Sequence, residues 1–327
     1  MPKVLITTVP FAERNALPLE ILRSNGIKYL INPLNKKLTE LELAELVPEF
    51  DAIIAGTEPI TDLVMSKASK LKHISRVGIG LDSVDLLAAR KREIKVSYTP
   101  DAPAPAVAEL TLGLMLSLLR SIHVANAQMH QGVWKRLYGR RMAEITIGVI
   151  GVGRIGGRVL RRIRGFGTPR LVVNDILPNN EINREFKLEW MSKERIFQEA
   201  DLLSLHVPLT AETKNMVRKE HLLQMKPDAL IVNTSRGGIV NEDDLYEVLA
   251  SGHLGGAAID VFDREPYDGK LAEIERCILT CHMGSMSIDC RTRMEIEATE
   301  EAARFLIGKE LQGEVPEAEY KVQEESL

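Results

Sequence analysis

Residues 145–175, ITIGVIGVGRIGGRVLRRIRGFGTPRLVVND, decide how the rest of the chain is read. Ile145 to Ile150 is a β-branched run that stops at glycine, as a buried strand does. Gly151-Val-Gly153-Arg-Ile-Gly156 follows and opens a helical pattern. A second apolar run, Leu171 to Val173, then stops at Asp175, about 20 residues beyond the last glycine of the motif. A G-x-G-x-x-G turn alone says little, but strand, turn, helix, strand and acid in this order describe a dinucleotide-binding unit. Gly151 permits the tight turn, Gly153 lets the backbone approach a pyrophosphate, and Gly156 lets helix and strand pack closely. The pyrophosphate is expected at the helix N-terminus, where Arg154 and Ile155 begin the first turn. Asp175 is expected to accept hydrogen bonds from the adenosine ribose and to repel a 2′-phosphate, which favours NAD over NADP.

Composition narrows the remaining possibilities. The chain has 327 residues, enough for two domains, and its 45% hydrophobic content is ordinary for a globular protein. Lys+Arg number 42 against 46 Asp+Glu, a net charge of −4, so there is no basic excess for a nucleic acid. The longest apolar stretches, such as Leu110 to Leu119, are well short of the roughly 20 residues of a spanning helix, so no membrane partner is expected. Residues 1–8 are too short and too strand-like for a signal peptide, which points to the cytoplasm. Cys277, Cys281 and Cys290 are odd in number and lack zinc-site spacing, so reduced thiols and no metal are expected.

Outward from the glycine stretch, both flanks alternate strands with helices. Toward the N-terminus, Val4 to Thr7, Tyr29 to Ile31, Ala52 to Ala55, Ile74 to Val77 and Lys95 to Tyr98 read as strands. Helical patterns run over Ala16 to Ser24, from Thr39 with Glu42 as a capping box, over Asp62 to Ser69, and over Ser83 to Lys91. Pro103 and Pro105 interrupt this alternation and suggest a domain boundary. Ala106 to about Gln131 then reads as one long helix, apolar nearly all round and so buried on most faces. Residues 132–144 mix Trp134 and Tyr138 with basic side chains, as a solvated loop or an arm gripping a second subunit. Beyond Asp175, helices are expected over Ser192 to Ala200, Lys219 to Met225, Asn241 to Ala250 and Asp289 to Leu306. Strands are expected over Leu202 to Val207, Ala229 to Thr234, Gly256 to Phe262 and Ile278 to Cys281. The glutamate-rich tail from Gln312 reads as mobile. Such alternation describes an α/β protein with parallel sheets covered on both faces.

A bound nicotinamide implies hydride transfer, and a hydride leaving an alcohol carbon requires a group to take the hydroxyl proton. Of seven histidines, His282 directly follows a strand and precedes Gly284 and Ser285, which leave room for a substrate. His206 also follows a strand, but beside Val207-Pro208 it suits a structural or cofactor-rim role. Arg236, in Asn233-Thr-Ser-Arg-Gly-Gly, has a planar fork suited to a carboxylate. Glu265, in Asp260-Val-Phe-Asp-Arg-Glu-Pro266, would fix a histidine's tautomer and favour its imidazolium. Each alone suits an ordinary surface role; together, on successive strand ends, they make a chemical set.

On these residues the chain resembles the D-isomer-specific 2-hydroxyacid dehydrogenase family, most closely its short phosphoglycerate-dehydrogenase type without a C-terminal regulatory domain. Ser75-Arg-Val-Gly-Ile-Gly80-Leu-Asp-Ser-Val-Asp85 resembles the family's substrate loop and Gly151 to Gly156 its dinucleotide loop. His206-Val-Pro-Leu-Thr, Asn233-Thr-Ser-Arg-Gly, Asp260-Val-Phe, Glu265-Pro266 and His282 complete the ordered set. The resemblance implies a catalytic triad of Arg236, Glu265 and His282, with Asp260 at the nicotinamide and the backbone of Val77, Gly78, Ile79 and Gly80 on the substrate carboxylate. It further implies cofactor contacts from Pro208, Thr213, Thr234, Ser235 and Gly284. Two departures bear on the pocket: Met283 follows His282 where the family has a smaller or β-branched residue, and Gly139 to Thr146 is shorter than the expected arm. Arg76, and Arg136, Arg140 and Arg141 of the arm, are candidates for a second anionic group, with solvated surface charge as the plainer role for the arm.

The fold implied is two doubly wound parallel-sheet domains, a Rossmann cofactor domain inserted in a flavodoxin-like substrate domain. Residues 1–100 would begin the substrate domain, 101–282 form the NAD domain with a dimerisation helix and arm, and 283–327 return to the substrate domain as a C-terminal helix and tail. The expected activity is NAD(H)-dependent interconversion of a D-2-hydroxy acid and its 2-oxo acid in a homodimer. A 3-phosphoglycerate-like substrate and a glyoxylate or hydroxypyruvate substrate both remain open. A non-enzymatic NAD-sensing corepressor-like scaffold is the rival from another class; the want of disordered recruiting segments argues against it.

Overall fold

The structure, a computed structural model, describes residues 1–177 and 180–324. The chain divides into two compact units, Met1–Pro103 with Met286–Leu327, and Ala104–Ser285.

The first unit alternates β1 (Lys3–Ile6), α1 (Leu17–Ser24), β2 (Lys28–Ile31), α2 (Glu40–Leu46), β3 (Ala52–Ala55), α3 (Asp62–Lys67), β4 (His73–Arg76), α4 (Leu86–Lys91) and β5 (Lys95–Tyr98). All five strands pair in parallel in the order β2-β1-β3-β4-β5, the flavodoxin-like order. The capping box that starts α2 is present: Glu42 N–H donates to Thr39 Oγ1, and Thr39 N–H to the Glu42 carboxylate. One face of the sheet sends Leu5, Ile53, Ala55, Ile74 and Val96 into a core with Leu43, Val64 and Leu86 from the helices.

The second unit runs α5 (Ala104–Leu119), α6 (Ile122–His130), β6 (Thr146–Ile150), α7 (Arg154–Ile163), β7 (Arg170–Asn174), α8 (Asn180–Glu185), β8 (Glu189–Trp190), α9 (Lys193–Glu199), β9 (Leu202–Leu205), α10 (Lys219–Gln224), β10 (Leu230–Asn233), α11 (Glu242–Ala250), β11 (Gly256–Ile259) and β12 (Cys277–Leu279). Its strands are parallel in the order β12-β11-β10-β9-β6-β7-β8, which reverses direction between β6 and β9 as a Rossmann sheet does. Strand residues alternate between two cores. Ile147, Val149, Val173, Leu202, Val232 and Ala258 join α5 and α7, while Ile150, Val172, Leu203, Leu205, Ile231 and Ile259 join α9, α10 and α11. Both faces are thus covered, which is why these strands read as unbroken apolar runs. The fold class expected from the sequence is the one the structure has.

The chain then returns to the first unit with α12 (Ile288–Leu306), started by the Ser287 side chain, and α13 (Glu317–Glu324). Helix α12 packs on β3, β4 and α1. A polar chain joins it to the sheet: His73 Nε2 meets Ser97 Oγ at 3.0 Å, Ser97 donates to Ser75, and Ser75 donates to the Ala298 carbonyl at 2.7 Å.

Several expectations need correction. The single helix over Ala106 to Gln131 is two, bent by 66° at Ser121, whose φ of 49° is left-handed. Helix α6 buries no residue, although Ile122 and Met129 are apolar; no glycine or proline marks the break, so the sequence does not reveal it. Pro105 does not resist the helix but sits in the first turn of α5, where its missing N–H has no partner to lose. The tail from Gln312 is anchored, not mobile. Glu314 bridges antiparallel to Ser97, Val315 N–H donates to the Val96 carbonyl, and Tyr320 lies under the Arg90 guanidinium at 4.0 Å. Residues 325–327 of that tail lie outside the described residues. Helix α8 and strand β8 arise where the sequence shows only a polar stretch. Among the described residues no single helix is long and apolar enough to cross a membrane, and α5 and α6 pass that test only as a bent pair.

Candidate active site

The glycine loop in the second unit has the geometry its sequence requires. Gly151 has φ 94°, and a Cβ there would collide with the His206 carbonyl at the end of β9. A Cβ at Gly156 would collide with the Gly151 carbonyl, so helix α7 can approach its strand only with glycine there. At Gly153, the N-cap of α7, a Cβ would meet nothing within 4 Å. That open space beside a helix N-terminus is what a dinucleotide pyrophosphate needs, so the loop fits the cofactor. Arg154 and Ile155 form the first turn of α7. Asp175 is half-buried after β7, and its carboxylate accepts from Val152 N–H at 2.6 Å and Leu177 N–H at 3.0 Å. The acid therefore braces the glycine loop, a duty the sequence did not reveal.

The expected cofactor-rim residues line the ends of β9 and β10. Burial pushes His206 down to about 3, so it is neutral at ordinary pH, with Nε2 on Ser204 Oγ at 2.8 Å. Pro208 accepts from Thr213 Oγ1 at 2.6 Å, closing the turn after it. Thr234 pairs with Thr111 of α5 at 2.7 Å, and Ser235 donates to Asn233 Oδ1 at 2.6 Å. Asn233, not singled out in the sequence, also donates to the Arg236 carbonyl at 2.9 Å and so shapes the turn that presents Arg236. Its position as the last residue of a strand, where an Asn side chain can close the turn that follows on its own backbone, was the available signal. Arg236 is half-buried, with Nη1 on the Ser235 carbonyl at 2.7 Å.

Glu265 and His282, 17 residues apart in sequence, are brought together. His282 Nδ1 lies 3.0 and 2.9 Å from the two Glu265 oxygens, and Phe262 N–H donates to Glu265 Oε1 at 3.2 Å. A carboxylate there requires the proton on Nδ1 and leaves the Nε2 lone pair for a ligand. The backbone of His282 is left-handed, φ 50°, with its N–H on the Asp260 carbonyl at 2.8 Å. Asp260, expected at the nicotinamide, is 1% exposed and fastens the loop of His282. Its carboxylate accepts from Thr280 Oγ1 at 2.6 Å and from Met283 and Gly284 N–H at 2.9 Å each.

The loop expected to hold a substrate carboxylate lies in the first unit, after β4. Val77 N–H donates to the Ala55 carbonyl and Gly78 N–H to Thr99 Oγ1 at 2.8 Å, so those two amides are engaged. Ile79 and Gly80 are half-exposed, and their N–H groups donate to nothing among the described residues. Arg76 is 5% exposed, and its Nη1 donates to the Ala55 and Val77 carbonyls, which ties down the same loop. In the second unit Arg140 pairs with Asp201 and donates to the Asp228 carbonyl, while Arg141 pairs with Glu144. Trp134 and Tyr138 of the arm are exposed, at 78% and 102%.

With this geometry in hand, comparison with known proteins defines the class. Residues 112–284 match the NAD-binding domain of the D-isomer specific 2-hydroxyacid dehydrogenases. The hydroxypyruvate reductase of Thermotoga maritima is 35% identical over 279 residues, covering 83% of this chain and 90% of that one. The D-3-phosphoglycerate dehydrogenase of Methanocaldococcus jannaschii is 37% identical over 278 residues, 83% of this chain but 53% of its own length. Among solved structures, the TT0316 protein of Thermus thermophilus superposes with a TM-score of 0.86 at 34% identity, covering 96% of this chain and 100% of that one. The chain belongs to the D-isomer specific 2-hydroxyacid dehydrogenase family. It is an NAD-dependent oxidoreductase acting on small 2-hydroxy and 2-oxo acids.

Proposed function

We propose that the chain interconverts an unphosphorylated short D-2-hydroxy acid and its 2-oxo acid, of glyoxylate or hydroxypyruvate size, with His282 as the acid–base group. The contact between His282 Nδ1 and both Glu265 oxygens carries the catalytic part of this reading. In the oxidative direction His282 Nε2 takes the hydroxyl proton, and Glu265 stabilises the imidazolium that forms. Bound NAD supplies the hydride acceptor. The Arg236 fork is suited to a carboxylate and its C2 oxygen, and within the first unit the amides of Ile79 and Gly80 are suited to donate to an anionic group. Asp260 keeps the His282 loop in place, Asp175 selects against a 2′-phosphate, and the N-terminal turn of α7 carries the pyrophosphate. His206, Pro208, Thr213, Thr234, Ser235 and Gly284 complete the proposed cofactor rim.

The absence of a phosphate on the substrate is proposed because Arg76, in the expected substrate loop, is turned onto backbone carbonyls and Arg140 and Arg141 onto neighbouring acceptors, while Arg136 lies exposed on the arm. Residues 1–103 with 286–327 are the proposed substrate domain, and 104–285 the cofactor domain. Two copies are proposed to associate through α6 and the arm, whose Ile122, Met129, Trp134 and Tyr138 are exposed apolar groups. Free cysteines and a net charge of −4 support a cytoplasmic enzyme without a nucleic-acid partner.

The test is NADH consumption with a panel of glyoxylate, hydroxypyruvate and phosphohydroxypyruvate, in wild type and His282→Ala. The variant should lose about a thousandfold in kcat while binding NADH as the wild type does. Retained turnover would remove His282 from the mechanism, and a preference for phosphohydroxypyruvate would overturn the substrate assignment.

A further inference from the structure

Arg236 and Glu265 sit on loops that follow β10 and β11, and two contacts within the second unit tie those loops together. The first is backbone on backbone: a Cβ at Gly237 would collide with the Phe262 carbonyl group and stand 2.5 Å from the Asp263 nitrogen. The second is a side chain. Glu242, the first residue of α11, accepts from Asp263 N–H at 2.7 Å. Asp263 lies between Phe262, whose own N–H donates to Glu265 Oε1, and Glu265 itself. One carboxylate thus links the helix that follows the Arg236 loop to the short segment that aims Glu265.

This is an unfavourable place for a charge. Glu242 is half-buried, with Asp243 beside it on its own helix and Asp263 and Glu265 across from it. Burial, and then these neighbouring acids, hold its carboxyl above the ordinary carboxylate range. Tyr267 also faces it, and the nearby Lys270 ammonium reaches Asp243 only at 3.9 Å. Helix α11 does not need the group, since Asn241 caps it and Asp243 and Asp244 already place negative charge in its first turn. What Glu242 does in particular is hold the Asp263 amide.

We infer that Glu242 is a positioning residue for the Glu265–His282 pair, acting through the Asp263 N–H. This rests on the reading of that pair as the acid–base couple. Glu265 follows Asp263 so closely that any slackening at the amide displaces the carboxylate, and small displacements of reacting groups are expensive in rate.

The test compares Glu242→Ala and Glu242→Gln with wild type and with His282→Ala. Glu242→Ala should lower kcat about tenfold, with KM for the oxo acid and Kd for NADH within about twofold of wild type. Glu242→Gln keeps an oxygen for the Asp263 N–H and should recover kcat to within about threefold of wild type. The inference is overturned by unchanged kcat in Glu242→Ala, by Glu242→Gln as impaired as Glu242→Ala, or by a loss that follows the unfolded fraction in a thermal melt. If His282→Ala retains turnover, the acid–base assignment fails. If it is inactive and Glu242→Ala is not impaired, the positioning role alone fails.

Discussion

Both carboxylate oxygens of Glu265 lie within 3.0 Å of His282 Nδ1, so the ring is oriented by a carboxylate partner that leaves its second nitrogen out of the contact. Glu265→Gln preserves an acceptor for Nδ1–H but offers no negative charge to the imidazolium. It should lower kcat about a hundredfold and leave NADH affinity unchanged. Steady-state kinetics with a NADH fluorescence titration checks both halves, and wild-type kcat would show that the charge does not matter.

Asp175, the proposed selector of the cofactor, also braces Val152 at 2.6 Å. Asp175→Asn removes the charge and keeps one acceptor. The ratio of kcat/KM with NADH to that with NADPH should fall at least about tenfold, because the repulsion of a 2′-phosphate is lost. An unchanged ratio would assign cofactor choice to other residues.

Gly237 is the tightest place between the Arg236 and Glu265 loops. Gly237→Ala must push the Phe262 carbonyl away, since the Cβ has no room. Turnover should drop more than about a hundredfold while the glycine loop still binds NADH. Loss of NADH binding together with turnover would mean a wider collapse of the second unit.

His73 gives the first unit a pH-dependent stability. Burial pushes it down to about 3 from an ordinary value of 6.5. The unfolded chain therefore binds this proton more readily than the folded one, so stability is full above about pH 6.5 and falls as pH drops toward 3, by at most about 1.4 kcal/mol per unit. His73→Gln cannot titrate, and urea unfolding between pH 4 and 6.5 should show a shallower dependence. Equal slopes in both proteins would place the acid sensitivity elsewhere.

Strand and helix identities were legible because period and composition agree: β-branched runs bounded by glycine, and caps such as Thr39–Glu42. The glycine loop and the Glu265–His282 contact were legible because chemistry restricts which residues can stand after strand ends, while the part of Arg236 stays a proposal. What was not legible depends on long-range contacts. Asn233, Glu242 and the triple hydrogen bond of Asp260 show their purpose only once β10, β11 and β12 lie side by side. The break at Ser121 was hidden because no glycine or proline marks it and apolar residues resume at Ile122, and the anchored tail because acidic composition says nothing about a strand edge at Ser97 or a guanidinium at Arg90.

His282 holds a left-handed backbone that a residue with a Cβ adopts only at a cost. Glycine would relieve that cost and remove the imidazole in the same substitution. Selection for heat tolerance alone would thus drift toward losing the proposed base, and any attempt to harden this enzyme has to screen for turnover at position 282 alongside melting.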